Sequence, residues 1–397
     1  MVTVMDDVKA LDASHVLQTY RRHPITLVRG EGVRLWDSDG REYFDLLSGI
    51  GVASLGHAHP GLTAALTEQA GTLIHTSNLF YHPLQGQLAE RLSSLSGLQR
   101  AFFCNSGTEA VEACLKLARR YWYQSGEERT EFIALEQSFH GRTFGALSVT
   151  FEPKYREPFA PLLTAQFVPP GDSRALASAA SRRTAAIIVE PIQGEGGVCP
   201  LTPEFAASLN ETCQETGALL IADEVQSGLG RTGVPFYSAT IGLKPRLMAL
   251  GKALGGGVPV GAALIDEGVA QRIAYGDHGT TYGGNLLACR AALCVLDELA
   301  GGLMAHVERM GQFFESRLRA MAARHTAVTE VRGAGLIWGL QLKTDAAPVV
   351  ARGFERGVIV NRTADSVVRL LPPFVISEAD ATDALGRLDL ALEGAEG

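Results

Sequence analysis

Cysteine is sparse in this sequence, and unbroken runs of charge or hydrophobicity are missing from it; each shortage removes a class of protein. The six cysteines among 397 residues, Cys104, Cys114, Cys199, Cys213, Cys289 and Cys294, never form a C-x-x-C pair. Most flank apolar residues, so reduced, buried thiols are expected rather than a disulfide scaffold. No window reaches the roughly 18 uninterrupted apolar residues of a membrane-spanning helix. The opening MVTVMDDVKALD is acidic and lacks the apolar core of a secretory signal, which makes a cytoplasmic protein the expectation. Net charge is −8 with no long basic block, so general attraction to nucleic acid is not indicated. There is no G-x-x-x-x-G-K-[ST], which weakens any nucleotide-phosphoryl reading. Repeats and low-complexity linkers are also lacking.

What the chain does contain is an ordinary globular balance, 46% hydrophobic and 20% charged, with 44 glycines concentrated between apolar runs and helical segments. Residues 1–59 read as an arm, with a hairpin-like stretch through Val33–Asp37 and Glu42–Asp45 joined by Ser38-Asp39-Gly40. From 60 to 302 helical windows such as Pro60–Leu73 and Glu109–Tyr123 alternate with short β-rich runs. Those runs are Arg100–Cys104, Glu131–Leu135, Ala185–Glu190, Ala218–Asp223, Leu247–Leu250 and Val258–Leu264. Continuous apolar strands between helices predict a mostly parallel sheet covered on both faces, an α/β fold. From 303 to 397 the pattern becomes α+β. A long helix over Leu303–Arg324 leads to strands near Val328–Val331, Leu336–Leu342, Val358–Val360 and Val367–Leu371, and a last helix follows Glu378.

Three segments carry chemistry. In Asn105-Ser106-Gly107-Thr108-Glu109 an apolar run gives way to a helix, with Ser106 and Glu109 at capping-box spacing. Free N–H groups at such a start can hold a phosphate, although an ordinary capped helix has the same signature. Asp223 and Glu224 end an apolar strand, at the sheet edge where ligands bind. Asp223 there could keep a pyridine nitrogen protonated by charge pairing, or bind magnesium. Lys252 follows a buried strand beside Gly251 and Gly255-Gly256-Gly257. It reads either as a turn lysine that reaches out to water or as a lysine of depressed basicity able to form an imine. The His57/His59 pair has no third Cys, His or paired acid nearby, so no metal is expected.

With these residues in view, the chain resembles the class III aminotransferases of fold type I over nearly its whole length. The resemblance rests on eight stretches in order: G-I-G-V-A-S-L-G-H-A-H-P (49–60), N-S-G-T-E-A (105–110), S-F-H-G-R-T (138–143), E-P-I-Q-G-E-G-G-V (190–198), D-E-V-Q-S-G-L-G-R-T-G (223–233), G-K-A-L-G-G-G-V-P (251–259), G-T-T-Y-G-G-N (279–285) and R-L-L-P-P (369–373). Within the family, His75–Leu79 and Val360–Thr363 are most similar to the acetylornithine branch. The resemblance implies a large domain over 60–302 with a seven-stranded sheet sandwiched by helices. It implies a smaller α+β domain from 303–397 together with the arm 1–59.

It also implies pyridoxal 5′-phosphate as cofactor. Lys252 would hold it as a Schiff base, Asp223 would pair with the ring N–H, and Gln226 would bond the ring hydroxyl within the Asp223-Glu224-Val225-Gln226 stretch. Ser106, Gly107 and Thr108 would hold the phosphate, Phe139 would stack on the ring, and Thr281 would reach the phosphate from the other subunit of a homodimer. On the substrate side Arg142 would clamp a carboxylate. Arg369 would take the second carboxylate of glutamate, Glu195 would neutralise Arg369 when the acylated donor is bound, and Thr280 would lie near the acyl-ornithine.

The implied reaction moves the terminal amine of an acylated ornithine to 2-oxoglutarate. Transamination of carrier-bound aminoadipate semialdehyde, succinyl-diaminopimelate, ornithine or 4-aminobutyrate is the alternative. Ornithine δ-aminotransferases usually carry a tyrosine where this chain has Gly49-Ile50-Gly51-Val52, which disfavours a free α-amine. Ala53 stands where acetylornithine enzymes commonly have asparagine. A non-catalytic binding or regulatory protein on the same scaffold is the alternative of a different class, and the retained lysine, aspartate and arginines argue against it.

Overall fold

The computed structural model describes residues 8–394. The first seven and last three residues of the expected arm and C-terminal unit, including most of the acidic opening, lie outside the described residues. At the centre is a seven-stranded sheet. Its strands run in the spatial order Arg100–Cys104, Gly261–Ile265, Leu247–Leu250, Leu219–Asp223, Thr184–Val189, Glu131–Leu135, Ala165–Val168. All neighbours pair in parallel except Gly261–Ile265, which is antiparallel to both of its own. The mostly parallel sheet expected from the sequence is therefore present.

Why these runs lack polar alternation is plain from their burial. Leu220, Ala222, Met248 and Leu250 face one core. Leu219, Ile221, Leu247 and Ala249 face the other. With both faces covered, every position of a strand is selected for apolarity. The helix Gly107–Gln124 covers one face through Val111, Cys114, Leu115 and Ala118, while Leu286–Glu298 lies in the core of the other. All six cysteines are free, four of them buried and Cys199 and Cys213 half-buried.

Two further sheets flank this one. Leu27–Glu31, Arg34–Asp37 and Glu42–Asp45 form an antiparallel meander, and Val358–Ile359 from near the other end of the chain joins it parallel to Glu42–Asp45. Val328–Ala334, Ile337–Leu342, Val367–Leu370 and Asn361–Thr363 make the second sheet in that order. The long helix expected over Leu303–Arg324 spans Met304–Ala322. It follows Leu286–Glu298 through a wide turn in which Gly302, at φ +118°, breaks the helical run.

Three differences from the sequence reading have physical causes. The strand expected from Val258 begins at Gly261, because Lys252–Gly255 forms a tight helical turn and Gly256 and Gly257 adopt positive φ. The edge strand Ala165–Val168 is short and partly exposed, with Gln166 interrupting its apolar run, so it gives little signal. Leu27–Glu31 is solvent-facing along most of its length for the same reason. No helix among the described residues is long and apolar enough to cross a membrane.

Candidate active site

The strands Leu219–Asp223 and Leu247–Leu250 run in parallel with Asp223 opposite Ala249, so their C-terminal ends emerge together. They open onto a cavity of about 260 Å³ that also takes in the start of the Gly107–Gln124 helix. Close backbone approach builds its floor. A Cβ on Gly251 would lie 2.9 Å from Gly107 Cα, and one on Gly107 would lie 2.6 Å from Val225 Cγ1. Neither position accommodates a side chain, which explains both glycines better than local turn preference does.

Lys252 leaves this junction at φ +42°. A residue bearing a Cβ pays about 1 kcal/mol or more for that conformation, so packing around it must hold it there. Burial pushes its ammonium down from the ordinary value. Glu195 opposes that shift, Arg369 reinforces it, and Asp223 and Glu190 oppose it more weakly; the net direction is down. Near neutrality Lys252 therefore carries a free amine more often than a surface lysine does.

Asp223 is buried and doubly held. Its Oδ2 accepts from His140 Nδ1 at 2.7 Å, and Oδ1 accepts from Val225 N at 3.1 Å. With the Asp223 carboxylate accepting, His140 donates from Nδ1, and its buried Nε2 has no partner among the described residues. Glu190 stands just past the end of the next strand, Thr184–Val189. It accepts from Phe139 N at 2.8 Å and from Gly194 N at 3.1 Å. Burial raises its carboxyl to about 7, with His140 opposing and Asp223 adding to the shift.

At the helix start, Ser106 Oγ accepts from Glu109 N at 3.3 Å. Glu109 reaches back to Asn105 N at 2.7 Å and Asn105 Nδ2 at 2.9 Å, one residue before the position that ordinary capping-box spacing implies. Thr108 Oγ1 lies 3.0 Å from Thr143 Oγ1.

Arg142 is exposed at the cavity. Its guanidinium sits 3.3 Å from the Tyr155 ring centroid and 5.7 Å from that of Phe139. No carboxylate among the described residues pairs with it. Arg369 contrasts with it in every respect. It is fully buried and donates to Glu195 Oε1 at 2.6 Å, Gln226 Oε1 at 3.3 Å and Asn361 Oδ1 at 3.1 Å, while its Nη2 has no partner among the described residues. Burial alone would raise the Glu195 carboxyl, but Arg369 and Lys252 hold it below the ordinary value.

The cavity therefore brings together Lys252, Asp223, Gly107, Thr108, Phe139, Val225, Gln226, Arg142 and Glu195 from the sequence reading. Ser106 and Arg369 stand behind this lining. Glu224 turns away from it: its carboxylate accepts from Ser227 Oγ at 2.5 Å and Ser238 N at 2.6 Å, and burial raises it. Thr280 Oγ1 accepts from Gly283 N at 3.2 Å, and Thr281 is exposed. His140 and Glu190 also line the cavity and were not singled out. Glu190 had a usable signal, since it follows the strand beside that of Asp223 and belongs to the same sheet edge. His140 had none beyond its motif.

The profile described as Aminotransferase class-III matches residues 16–392. The acetylornithine aminotransferase of Aquifex aeolicus is 44% identical over 377 residues, covering 94% of this chain and 99% of that protein. An ornithine aminotransferase structure from Toxoplasma gondii superimposes with a TM-score of 0.94 at 33% identity, covering 98% of this chain and 95% of that one. An amine transaminase from an uncultivated Pseudomonas species, in a PLP-bound form, gives a TM-score of 0.87 at 30% identity, with coverage of 96% and 97%.

Proposed function

The chain belongs to the class-III aminotransferase family, and from that premise we propose that it moves the terminal amine of N2-acetylornithine to 2-oxoglutarate, in arginine biosynthesis, with pyridoxal 5′-phosphate as cofactor. The residues present fit that cofactor. The Gly107/Gly251/Val225 contact leaves a floor that a single added Cβ would fill, which suits a flat ring lying against it. A buried carboxylate, Asp223, is available for a ring N–H. Backbone N–H groups at the Gly107–Thr108 helix start suit a phosphate, and Lys252 offers an amine to a carbonyl. Phe139 and Gln226 complete the enclosure. When bound, the cofactor supplies a carbonyl that takes up amines and a ring that withdraws electrons from the carbon bearing them.

The chain's own residues then divide the work. Lys252, of lowered basicity, would take the proton from the amine-bearing carbon of the donor and pass it to the carbonyl-derived carbon of the cofactor, and in the second half-reaction would carry a proton the opposite way, onto the 2-carbon of 2-oxoglutarate. Asp223, fixed by His140, keeps negative charge next to the site where positive charge must be held. Arg142 binds the α-carboxylate of the acylated donor or the γ-carboxylate of glutamate. Arg369 takes the α-carboxylate of glutamate once Glu195 turns away; with the acylated donor, Glu195 stays and spares Arg369 an uncompensated buried charge. Thr280 would lie near the acyl-ornithine.

The observation that carries this reading is Lys252, its ammonium pushed down, facing the same cavity as buried Asp223 and the helix start. The acetylated donor is favoured by the Aquifex relative and by the absence of a tyrosine from Gly49–Val52. A panel of amine donors tests it. As donor, N-acetylornithine should exceed ornithine, 4-aminobutyrate, succinyl-diaminopimelate and the carrier-bound lysine that aminoadipate semialdehyde yields in kcat/KM by at least about tenfold. Equal or better turnover of any of these reassigns the substrate.

We also propose a cytoplasmic homodimer in which Thr281 reaches the partner's phosphate site. Leu79, Phe80, Tyr81 and Tyr282 are all largely exposed, and the segments bearing them adjoin where Asn78 Nδ2 donates to Gly283 O at 2.9 Å. Exposed aromatics grouped in this way mark an association surface. In this reading the units are the arm 1–59, the cofactor-binding domain 60–302 and the small domain 303–397.

A further inference from the structure

Asn361 and Arg369 are directly opposite each other on the antiparallel strands Asn361–Thr363 and Val367–Leu370. Across that pair Arg369 Nε donates to Asn361 Oδ1 at 3.1 Å. Two residues on, Thr363 Oγ1 donates to the main-chain oxygen of Glu195 at 2.5 Å. One short strand therefore grips both members of the Arg369–Glu195 ion pair, the first by its side chain and the second by its backbone. The acceptors around Arg369 differ in kind. Glu195 is charged and its side chain is partly exposed, whereas Asn361 and Gln226 are neutral; Gln226 shares Nη1 with Glu195, and Asn361 alone holds Nε.

We infer that Asn361 is a positioning residue that sets dual-substrate specificity, holding Arg369 in place and still positively charged when the Glu195 side chain departs. The inference rests on the proposed roles of Glu195 and Arg369. Thr363 keeps the Glu195 main chain fixed, so the exchange of substrates is confined to a side-chain rotation. A neutral acceptor at 361 is essential to this device. A carboxylate there would neutralise Arg369 permanently, and an incoming α-carboxylate would meet no net positive charge. Arg369 Nη1, released when the Glu195 side chain departs, is the donor for that carboxylate, and the buried Nη2 has no partner among the described residues.

The test is Asn361→Asp in the cofactor-loaded enzyme, with the two half-reactions followed separately. Glutamate and 2-oxoglutarate should show KM raised at least about tenfold, while KM for the acylated donor changes less than about threefold. Binding of glutarate, a dicarboxylate with no amine to react, should weaken by a similar factor in calorimetry. Asn361→Ala, which removes the acceptor without adding charge, should show a smaller loss confined to the same half-reaction; it carries the test if the aspartate variant does not fold. Parental glutamate kinetics in Asn361→Asp, or equal losses in both halves, overturn the inference. Arg369→Gln separates the two layers. If it spares the glutamate half-reaction, the reading of Arg369 itself fails; if it abolishes that half while Asn361→Asp does not, only the role of Asn361 fails.

Discussion

At Lys252 a left-handed backbone, a depressed ammonium and contact with the cavity coincide in one side chain. Replacing it with alanine should reduce turnover by at least about 10³-fold, and borohydride treatment of the parent should fix the cofactor to the peptide carrying Lys252. Retained turnover in Lys252→Ala would remove the lysine from the chemistry. Glu195 allows a pH test. Although burial opposes it, Arg369 and Lys252 hold its carboxyl below the ordinary 4.5. The stabilisation from its charged form is therefore complete above about that pH and is lost as pH falls through the lower folded value. The stability gap between the parent and Glu195→Gln should stay level around neutrality and close on acidification. A gap that widens in acid contradicts the assigned direction. Much of this scale was legible beforehand. Lysine and aspartate at strand ends are visible because a buried strand leaves so few places for charge. His140 was not, because its role depends on a partner 83 positions away.

Among elements, the junction of helix start, strand exit and the Asp223–Gln226 turn is controlled by volume. Gly107→Ala would place a methyl 2.6 Å from Val225 Cγ1, and a β-branched side chain has little freedom to retreat. Cofactor affinity should fall by roughly tenfold or more, as expected for 1–3 kcal/mol of overpacking. The double variant Gly107→Ala/Val225→Ala should recover most of that loss, since it restores the space. Without recovery, the loss cannot be attributed to this contact, and equilibrium titration with the cofactor decides the matter. The strands of the central sheet were readable because burial on both faces makes them continuously apolar. The edge strands Leu27–Glu31 and Ala165–Val168 carry exposed positions and fall below that signal. The Asn361–Arg369 pairing belongs to the same scale: the three-residue turn that follows Thr363 sets its register, and it places Ala364 at positive φ, where the sequence offers no glycine to announce it.

For the molecule as a whole, the proposed dimer predicts that light scattering gives twice the chain mass and that activity depends on association. Leu79 and Tyr81 are 85% and 105% exposed, so aspartate at both positions should leave the monomer folded while separating the subunits. Loss of turnover together with dimer mass, at an unchanged circular dichroism spectrum, is the expected outcome; a fully active monomer would contradict the role proposed for Thr281. This scale was the least legible from composition, because an exposed tyrosine and a buried one read alike until the fold shows which side faces out.

The parallel pairing of Glu42–Asp45 with Val358–Ile359 also bears on how the chain is made. A ribosome delivers the first of these strands more than three hundred residues before the second, so the hairpin must wait, one edge unsatisfied, through most of translation. Arg34, whose guanidinium meets Asp380 at 2.6 Å, waits still longer for its partner. Closure of this sheet is a late event in biogenesis, and contacts so distant in sequence are slow to form. Nascent chains halted before residue 358 should therefore expose the N-terminal meander to proteases and chaperones even where the central sheet has already folded.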